Sequence, residues 1–445
     1  MTTPLLILSD APASGTGLGR ICKELAVRVA THLPDVYRVG TLGYGGIHDR
    51  HLPFHQYHIE SMRDWFIPTL QEVWENFAGQ EHGIILVVWD PSRVLWFARP
   101  ELGTNPDKAM VEWLKKPPFE KWIYAPQDAA GPHNELSVMV RECLLGFDRV
   151  LAYSQWSEDT IRRSVDEAAT ERWQLTAIPH GIDTTIFRPH RPDREVFKSL
   201  GFTGIQPEDK IVGIVATNQA RKDFGLAFEA LQLIAKEQPI KVFIQTDILE
   251  RNWSIPALVY DFGLQAQTLV NTTVLSDELM ARIYSACDVT LGIGAGEGFG
   301  FSTFESLACG TPHITGTYGG QAEHLTENLT TPFAFRFEGL YNCQRPVYDP
   351  AKWAWRINRV LAGGKTGKSL LPPRLAWNNL WKDEWEPWFR AGQIRHLQAD
   401  SLAQSDNTRE MDTDLSHQSR SRVASAEDYA RLEAAQAAPW PDPQL

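Results

Sequence analysis

Short apolar segments alternate with amphipathic segments along most of the chain. Each short segment is a brief apolar run bounded by polar or glycine-containing turns, which is the pattern of a buried β-strand. In the first half these predicted strands are residues 5–8, 84–89, 122–124, 150–152 and 175–178. In the second half they are residues 211–215, 241–245, 273–275, 289–292 and 313–315.

Amphipathic helices are predicted between these strands. After the first strand, one apolar face recurs at helical spacing, formed by Leu18, Ile21, Cys22, Leu25, Ala26 and Val29. Further helices are predicted to begin at Phe224 and at Asp277. Because strands that alternate with helices form parallel sheets with crossover connections, the fold class is α/β, with a doubly wound domain in each half.

Changes in composition divide the chain into four parts. A proline-rich and charged stretch over 179–207 suits a linker between an N-terminal domain, 1–190, and a second domain, 191–372. A tryptophan-rich segment, 373–395, predicts a final helix. Residues 396–445 are poor in apolar anchors and are expected to be a flexible tail. That tail contains Asp412, Thr413 and Asp414, a D-x-D that we interpret as accidental because no strand precedes it.

Bulk composition narrows the functional classes. The 445 residues are 43% hydrophobic and 22% charged, which is typical of a globular enzyme with more than one core. The formal net charge of −12 argues against a general nucleic-acid binder. The 5 cysteines show no paired spacing, and no apolar run approaches the length of a membrane span, so a cytoplasmic protein without a zinc site or integral membrane segment is expected.

The segment GAGEGFGFSTFESLACGTP, residues 294–312, contains the strongest candidate chemistry. It follows a predicted strand and begins a helix, and ligands of open parallel sheets bind at the carboxyl ends of strands. Glu297 is expected in the loop that faces the crevice. Glu305 has two interpretations: a ligand contact, or the last residue of a capping box S-x-x-E with Ser302 as N-cap.

At this point the sequence resembles a known family. The segment 294–312, followed by GTYGGQAEHL, is similar to the E-x7-E signature of family 4 retaining glycosyltransferases, which use nucleotide sugars. SGTGLGR, IPHGIDTTIFRP and TNQARKDFGLAFEAL agree with the same family in the same order, so the resemblance spans roughly residues 5–390. It implies the GT-B fold, in which two Rossmann-like domains face a central cleft and the last helix crosses back to the first domain.

The resemblance also implies a set of donor contacts. Glu297 would hold hydroxyls of the donor sugar, and Glu305 would accept hydrogen bonds from the ribose. Arg221 and Lys222 would neutralise the diphosphate, although an Arg-Lys pair at a helix start is otherwise typical of a solvated surface. The remaining expected donor contacts are the backbone of Gly298, Phe299 and Gly300, the glycines Gly15 and Gly17 of the first loop, and the pocket around Leu275.

The stretch YAPQDAAGPHNE, residues 124–135, departs from the family pattern. Many members have a histidine after this strand, where this chain has Gln127 and then Asp128. The resemblance to a subgroup suggests that Asp128 lies close to the reacting bond, and an ordinary turn aspartate is the equal alternative. His133 and His180 are further candidates, each more typical of a loop residue.

The expected activity is therefore transfer of a sugar from a UDP-, GDP- or other nucleotide sugar to an acceptor hydroxyl, with retention and without a metal or cofactor. The acceptor is open: a glycan, a lipid-linked sugar, a small molecule or, less in keeping with the acidic charge, DNA. Two alternatives stay open, namely an inactive GT-B-like binding or regulatory module and an enzyme that glucosylates modified DNA bases.

Overall fold

The computed structural model describes residues 2–46, 48–60, 66–102, 108–206, 208–339 and 342–407, and the D-x-D at 412–414 lies outside them. The strands are β1 Thr3–Asp10, β2 Tyr37–Tyr44, β3 His55–Ile59, β4 Gly83–Val87, β5 Phe119–Ala125, β6 Arg149–Ala152, β7 Thr176–Ala177, β8 Lys210–Val215, β9 Ile240–Gln245, β10 Thr268–Asn271, β11 Val289–Gly292, β12 His313–Gly316, β13 Leu329–Thr330, β14 Ala334–Glu338 and β15 Cys343–Val347. The helices are α1 Gly17–His32, α2 Ile67–Ala78, α3 Leu95–Ala98, α4 Lys108–Lys115, α5 Val138–Leu145, α6 Gln155–Ser164, α7 Glu167–Trp173, α8 Glu195–Ser199, α9 Phe224–Ala235, α10 Ile255–Asp261, α11 Asp277–Ala286, α12 Phe301–Ala308, α13 Pro350–Gly363, α14 Trp377–Leu380 and α15 Glu386–Asn407.

Two parallel sheets organise the chain. The first has seven strands in the order β3-β2-β1-β4-β5-β6-β7, and the second has six in the order β10-β9-β8-β11-β12-β13. In each sheet the strand order reverses beside the first strand, which places a crevice at the carboxyl ends of the strands there. The predicted α/β architecture with two doubly wound domains is confirmed. A separate antiparallel hairpin, β14 and β15, follows the second sheet.

The sequence predicted only some of the observed strands. The strand predicted at 273–275 is wrong, because the strand of that region, β10, ends at Asn271. The central strand β2 was missed, since the glycines of YRVGTLGY interrupt its apolar run. Those glycines serve packing: a Cβ at Gly40 would lie 2.9 Å from the Phe77 ring, and one at Gly43 would lie 2.5 Å from the Ala11 backbone.

The segment between the domains is hydrogen-bonded to the segment that returns to the first domain. Ile182 donates its backbone N–H to Leu375 at 2.8 Å, and Trp377 donates to Ile182 at 3.1 Å. A Cβ at Gly181 would lie 2.4 Å from the Trp377 ring, so only glycine fits there. The chain therefore leaves and re-enters the first domain at one place. The predicted linker region also contains the short helix α8.

The tryptophan-rich segment crosses back onto the first domain, as predicted. It runs from α14 through a π-helical turn, Trp381–Trp385, into α15. The first-domain core against which it packs includes Leu5, Ile7 and Val29. Its buried aromatic residues are Trp377, Trp381, Trp385, Trp388 and Phe389.

The end of this helix differs from the prediction. Residues up to Asn407 are helical, whereas the tail was expected to begin at 396. By compactness the chain divides into two units, with the boundary in the sequence between His396 and Leu397. Of the second unit the structure describes only residues 397–407. Among the helices that the structure describes, none is long and apolar enough to cross a membrane.

Trp385→Ala is expected to destabilise the protein by about 3–5 kcal/mol, the usual cost of truncating a buried tryptophan. Trp385 is fully buried, and its indole N–H donates to the Pro179 carbonyl at 3.1 Å. Urea unfolding measures the change. The matched control is Trp355→Ala on α13, where the side chain is 56% exposed and a change within about 0.5 kcal/mol is expected. Equal losses of unfolding free energy in both variants would show that Trp385 does not anchor the crossing helix to the first domain.

Candidate active site

The glycine-rich loop between β11 and α12 lies directly against the first domain. A Cβ at Gly296 would come within 2.1 Å of the Asp128 carbonyl oxygen, and one at Gly298 within 3.0 Å of the Gln127 carbonyl oxygen. Gly296 and Gly300 also have positive φ angles, +107° and +89°, which L side chains rarely adopt. The resemblance implied that the backbone of this loop, at Gly298 and Gly300, contacts the donor. In the structure, backbone of the opposite domain occupies the space beside Gly296 and Gly298.

Glu297 lies at the centre of an ion-pair cluster. Its Oε1 accepts from Arg221 Nη1 at 2.8 Å and from Lys222 Nζ. An isolated antiparallel β-bridge between Lys222 and Gly294 holds the basic pair beside the loop, and Ala295 donates its N–H to the Arg221 carbonyl at 2.7 Å. The basic pair is therefore part of a half-buried cluster and not a solvated surface.

Asp128 reaches this cluster from the first domain. Its carboxylate accepts from Arg221 Nε at 3.2 Å and from Arg345 Nη1 at 3.1 Å. The structure thus brings Asp128, Arg221, Lys222 and Glu297 into one network across the cleft. Arg345, on β15, was missed by the sequence analysis, because nothing in CQRPV sets it apart from an exposed strand arginine. Its other partner is Glu338 Oε2, at 2.6 Å.

Electrostatics favour an ionised Glu297. Burial by itself would raise its pKa, but Arg221 and Lys222 outweigh burial and lower the pKa of Glu297 to about 2. Burial, together with Arg221, lowers the pKa of Lys222 from its ordinary value. The three cations Arg221, Lys222 and Arg345 face three carboxylates, Glu297, Asp128 and Glu338, so their charges balance, and an anionic ligand would compete with these carboxylates for the cations.

Glu305 is not a capping residue. The N-cap of α12 is Gly300, which has no side-chain cap, so the predicted capping box with Ser302 at its start is wrong. The carboxylate is buried, and it accepts from the Tyr284 hydroxyl at 2.9 Å and from Arg20 of the first domain. Burial raises the pKa of Glu305 although Arg20 opposes it.

The other predicted donor contacts lie in different environments. Phe299 is buried, and its ring packs against Phe304, with a ring-centroid distance of 4.6 Å. Leu275 is half-buried beside the core of the second domain. Around Gly15 an added Cβ would meet nothing within 4 Å, and at Gly17 it would meet only the Phe301 ring, at 3.8 Å. The first glycine loop is therefore open, while the second is tightly packed.

The two histidine candidates have no position in the charged cluster. His133 lies in the loop after β5 with φ +64° and is exposed. His180 is 1% exposed, and its Nδ1 lies 2.7 Å from the Tyr124 hydroxyl. Its ring contacts Phe299 and Phe301 of the second domain, with centroids 4.8 and 5.3 Å away. His180 is therefore part of an aromatic contact between the domains.

His180→Phe is expected to reduce the acid sensitivity of folding. Burial lowers the pKa of His180 to about 3, so between that value and its ordinary 6.5 only the unfolded chain takes up the proton. The contribution of neutral His180 to the free energy of unfolding is therefore fully present above pH 6.5 and is lost as the pH falls from 6.5 towards 3. Between pH 7 and pH 5 the unfolding free energy should drop by about 2 kcal/mol less in the variant than in the wild type, measured by urea unfolding. Equal drops would contradict a neutral buried imidazole.

The described residues contain no group of three or more His, Cys, Asp or Glu side chains arranged to hold a metal ion. The cluster that the structure does show combines guanidinium and ammonium groups with carboxylates and an N-terminal helix turn. Such groups can hold a diphosphate and stabilise the negative charge that develops on it.

Solved structures share this two-domain architecture. The structure aligns with sucrose-phosphate synthase from Thermosynechococcus elongatus with a TM-score of 0.61 and 18% identity, over 89% of this chain and 100% of that chain. It aligns with Anabaena HepE in complex with UDP-glucose with a TM-score of 0.58 and 15% identity, over 89% and 99%. At these identities the likeness establishes the fold, which is GT-B.

Sequence comparison supports the resemblance noted above. Residues 197–369, within the second domain, match the family model described as glycosyl transferases group 1. D-inositol 3-phosphate glycosyltransferase of Mycobacterium marinum is 23% identical over 234 residues, 52% of this chain and 46% of that protein. The enzyme of the same name from Frankia alni is 24% identical over 332 residues, 71% of this chain and 76% of that protein. The chain spans about half the length of the first of these curated relatives.

Proposed function

We propose that the chain is a nucleotide-sugar-dependent glycosyltransferase. The observation that carries this proposal is the cluster at the domain boundary, in which Glu297 of the glycine loop contacts both Arg221 and Lys222 while Asp128 meets Arg221 from the other domain. The family match of the second domain and the GT-B fold support it.

The roles follow from the charges of the cluster. Arg221 and Lys222 bind the diphosphate and stabilise its charge as the bond between the anomeric carbon and the phosphate oxygen breaks. Glu297, ionised at neutral pH, accepts hydrogen bonds from hydroxyls of the transferred sugar. The acceptor oxygen forms the new bond to the anomeric carbon and loses its proton. Asp128, the first-domain carboxylate that pairs with Arg221, orients the acceptor or takes that proton.

Several finer features belong to this proposal. The donor tested first is UDP-glucose, because structural neighbours are described as complexes with UDP and UDP-glucose. The two cations and the first turn of α12 supply the electrostatic stabilisation that a metal ion gives in other enzymes, so transfer is expected to persist with EDTA. Retention is expected from the family resemblance, and the anomeric configuration of the product, read by NMR, decides it.

The acceptor panel follows from the relatives. Inositol phosphates come first, since the relatives are named for D-inositol 3-phosphate. Simple sugars, lipid-linked sugars and glucosylation of modified DNA complete the panel.

The decisive experiment is a thermal-shift panel of UDP, GDP, ADP and dTDP with their common sugars, followed by a transfer or donor-hydrolysis assay on those that bind. A nucleotide present at about 100 times its dissociation constant adds roughly 2.7 kcal/mol of stability. Binding together with turnover supports the enzyme. Binding without turnover of any donor would support the inactive regulatory module instead, and absence of binding would overturn the proposed donor site.

A further inference from the structure

Arg20 makes a contact across the cleft that the proposed mechanism does not use. It lies in the first turn of α1, in the first domain, and pairs with both Glu305 and Asp277 of the second domain. Its guanidinium also lies over the rings of Phe187 and Phe301, 5.5 and 5.6 Å from their centroids. The arginine therefore occupies a position defined by two carboxylates and two rings.

This contact uses one of the two oxygens of Glu305. Oε1 accepts from Arg20, and Oε2 accepts from the Tyr284 hydroxyl at 2.9 Å, while the residue is only 6% exposed. If the proposed function holds, the ribose hydroxyls of the donor must donate to this same carboxylate. In the ligand-free protein both oxygens already have donors and the residue is almost fully covered, so a ribose hydroxyl can reach the carboxylate only where one of the covering side chains moves aside.

The two donors differ in how easily they can withdraw. Tyr284 is fully buried in α11, within the same domain as Glu305, so moving it would disrupt a packed core. Arg20 belongs to the opposite domain, and its side chain is 31% exposed. A small separation of the domains would move Arg20 away from Glu305 and from Asp277 together, since both carboxylates belong to the second domain and the Asp277 side chain is 41% exposed.

We propose that Arg20, held by Asp277, is an interdomain clasp that occupies the ribose position of Glu305, and that the nucleotide must displace it to bind. Tyr284 is then the positioning residue that keeps Glu305 oriented when Arg20 has left. Donor binding and the interdomain contact of Arg20 compete for a single carboxylate, that of Glu305. A weaker clasp should therefore give tighter nucleotide binding.

Asp277→Asn is the variant that tests the clasp, because it weakens the hold on Arg20 without changing Glu305. Titration calorimetry with UDP should show binding about threefold to fivefold tighter than in the wild type, the scale of a partly exposed ion pair. The matched control is Glu278→Gln, which removes the neighbouring first-turn charge of α11 from an exposed residue and should leave UDP binding unchanged. Binding that is unchanged or weaker in Asp277→Asn would overturn the proposal.

A second measurement needs no nucleotide. The 5 native cysteines are buried, so spin labels at Thr31→Cys and Asp261→Cys, on exposed sites of the two domains, report one interdomain distance by electron double resonance. Asp277→Asn and Arg20→Gln should shift the ligand-free distribution to longer distances, and Glu278→Gln should not. If no protein binds any nucleotide, the proposed donor site fails, yet this distance still decides the clasp: identical distributions in all variants would overturn it.

Discussion

Glu297→Gln is expected to lower sugar transfer by roughly 10²–10³-fold, the usual cost of losing one charged contact to a reacting group, while UDP binds at least as tightly as to the wild type. The separation of the two effects follows from geometry. In the ligand-free protein Glu297 Oε1 forms ion pairs with Arg221 and Lys222, the two cations that would otherwise bind the diphosphate. Replacing the carboxylate with an amide relieves that competition but removes the anionic acceptor for the sugar hydroxyls.

Steady-state transfer from the donor that the panel identifies measures the first effect, and calorimetry with UDP measures the second. Glu338→Gln is the matched control, since Glu338 pairs with Arg345 one step outside the cluster, and its transfer rate is expected to stay within a few-fold of wild type. Transfer by Glu297→Gln within tenfold of wild type would exclude Glu297 as a donor contact. A loss of UDP binding with unchanged melting temperature would show that the carboxylate supports the diphosphate site instead of competing with it.

Arg221→Gln is expected to have the second large effect, on both binding and folding. Arg221 connects Glu297 with Asp128 and donates to the Gly296 carbonyl at 3.3 Å, so its removal leaves two carboxylates short of a partner. Breaking a buried pair on one side costs about 3–5 kcal/mol, and the partial exposure of Asp128 places this case at the low end. Transfer should fall by roughly 10²–10³-fold, and UDP binding should weaken by at least about tenfold.

Urea unfolding, transfer assays and UDP titration measure the three quantities on the same preparation. Arg251→Gln is the control, because Arg251 is a 61% exposed arginine of the same domain whose pair with Asp247 spans 3.8 Å, and no quantity should change appreciably. Arg221→Lys keeps the charge but loses the fork that contacts two carboxylates, and should recover folding more fully than transfer. Full activity in Arg221→Gln would remove the basis for the proposed phosphate site.

The fold could be predicted from the sequence because its elements are encoded locally. Apolar runs of strand length and helices of 3.6-residue period alternate along the chain, and each is stabilised by burial of its own apolar residues. The limits of β11, on which the glycine loop depends, coincide with those predicted, whereas the N-cap of α12 is Gly300 and not the predicted Ser302. Strands were missed where burial came from glycine packing, as in β2, or where the apolar residues are exposed, as for Phe335 and Phe337 of β14.

The candidate site could be predicted only as a list of residues. Glu297, Arg221, Lys222 and Asp128 were singled out by motif and resemblance, and the structure brings them together. The partners that set their chemistry were not visible: Arg345 lies in an unremarkable strand, and Tyr284 looks like one more apolar position of α11. Glu305 was equally consistent with a helix cap and a ligand contact until its neighbours in space were known.

The class of fold, the order of its elements and the candidate charged residues could be recognised in the amino-acid sequence, because they depend on patterns within short segments. The pairing of those charges could not be recognised there. Arg20 and Glu305 are separated by 285 positions, and Arg345 and Asp128 by 217. Such pairs form where two separately folded domains meet, so their partners are set by the packing of the domains and not by any local pattern.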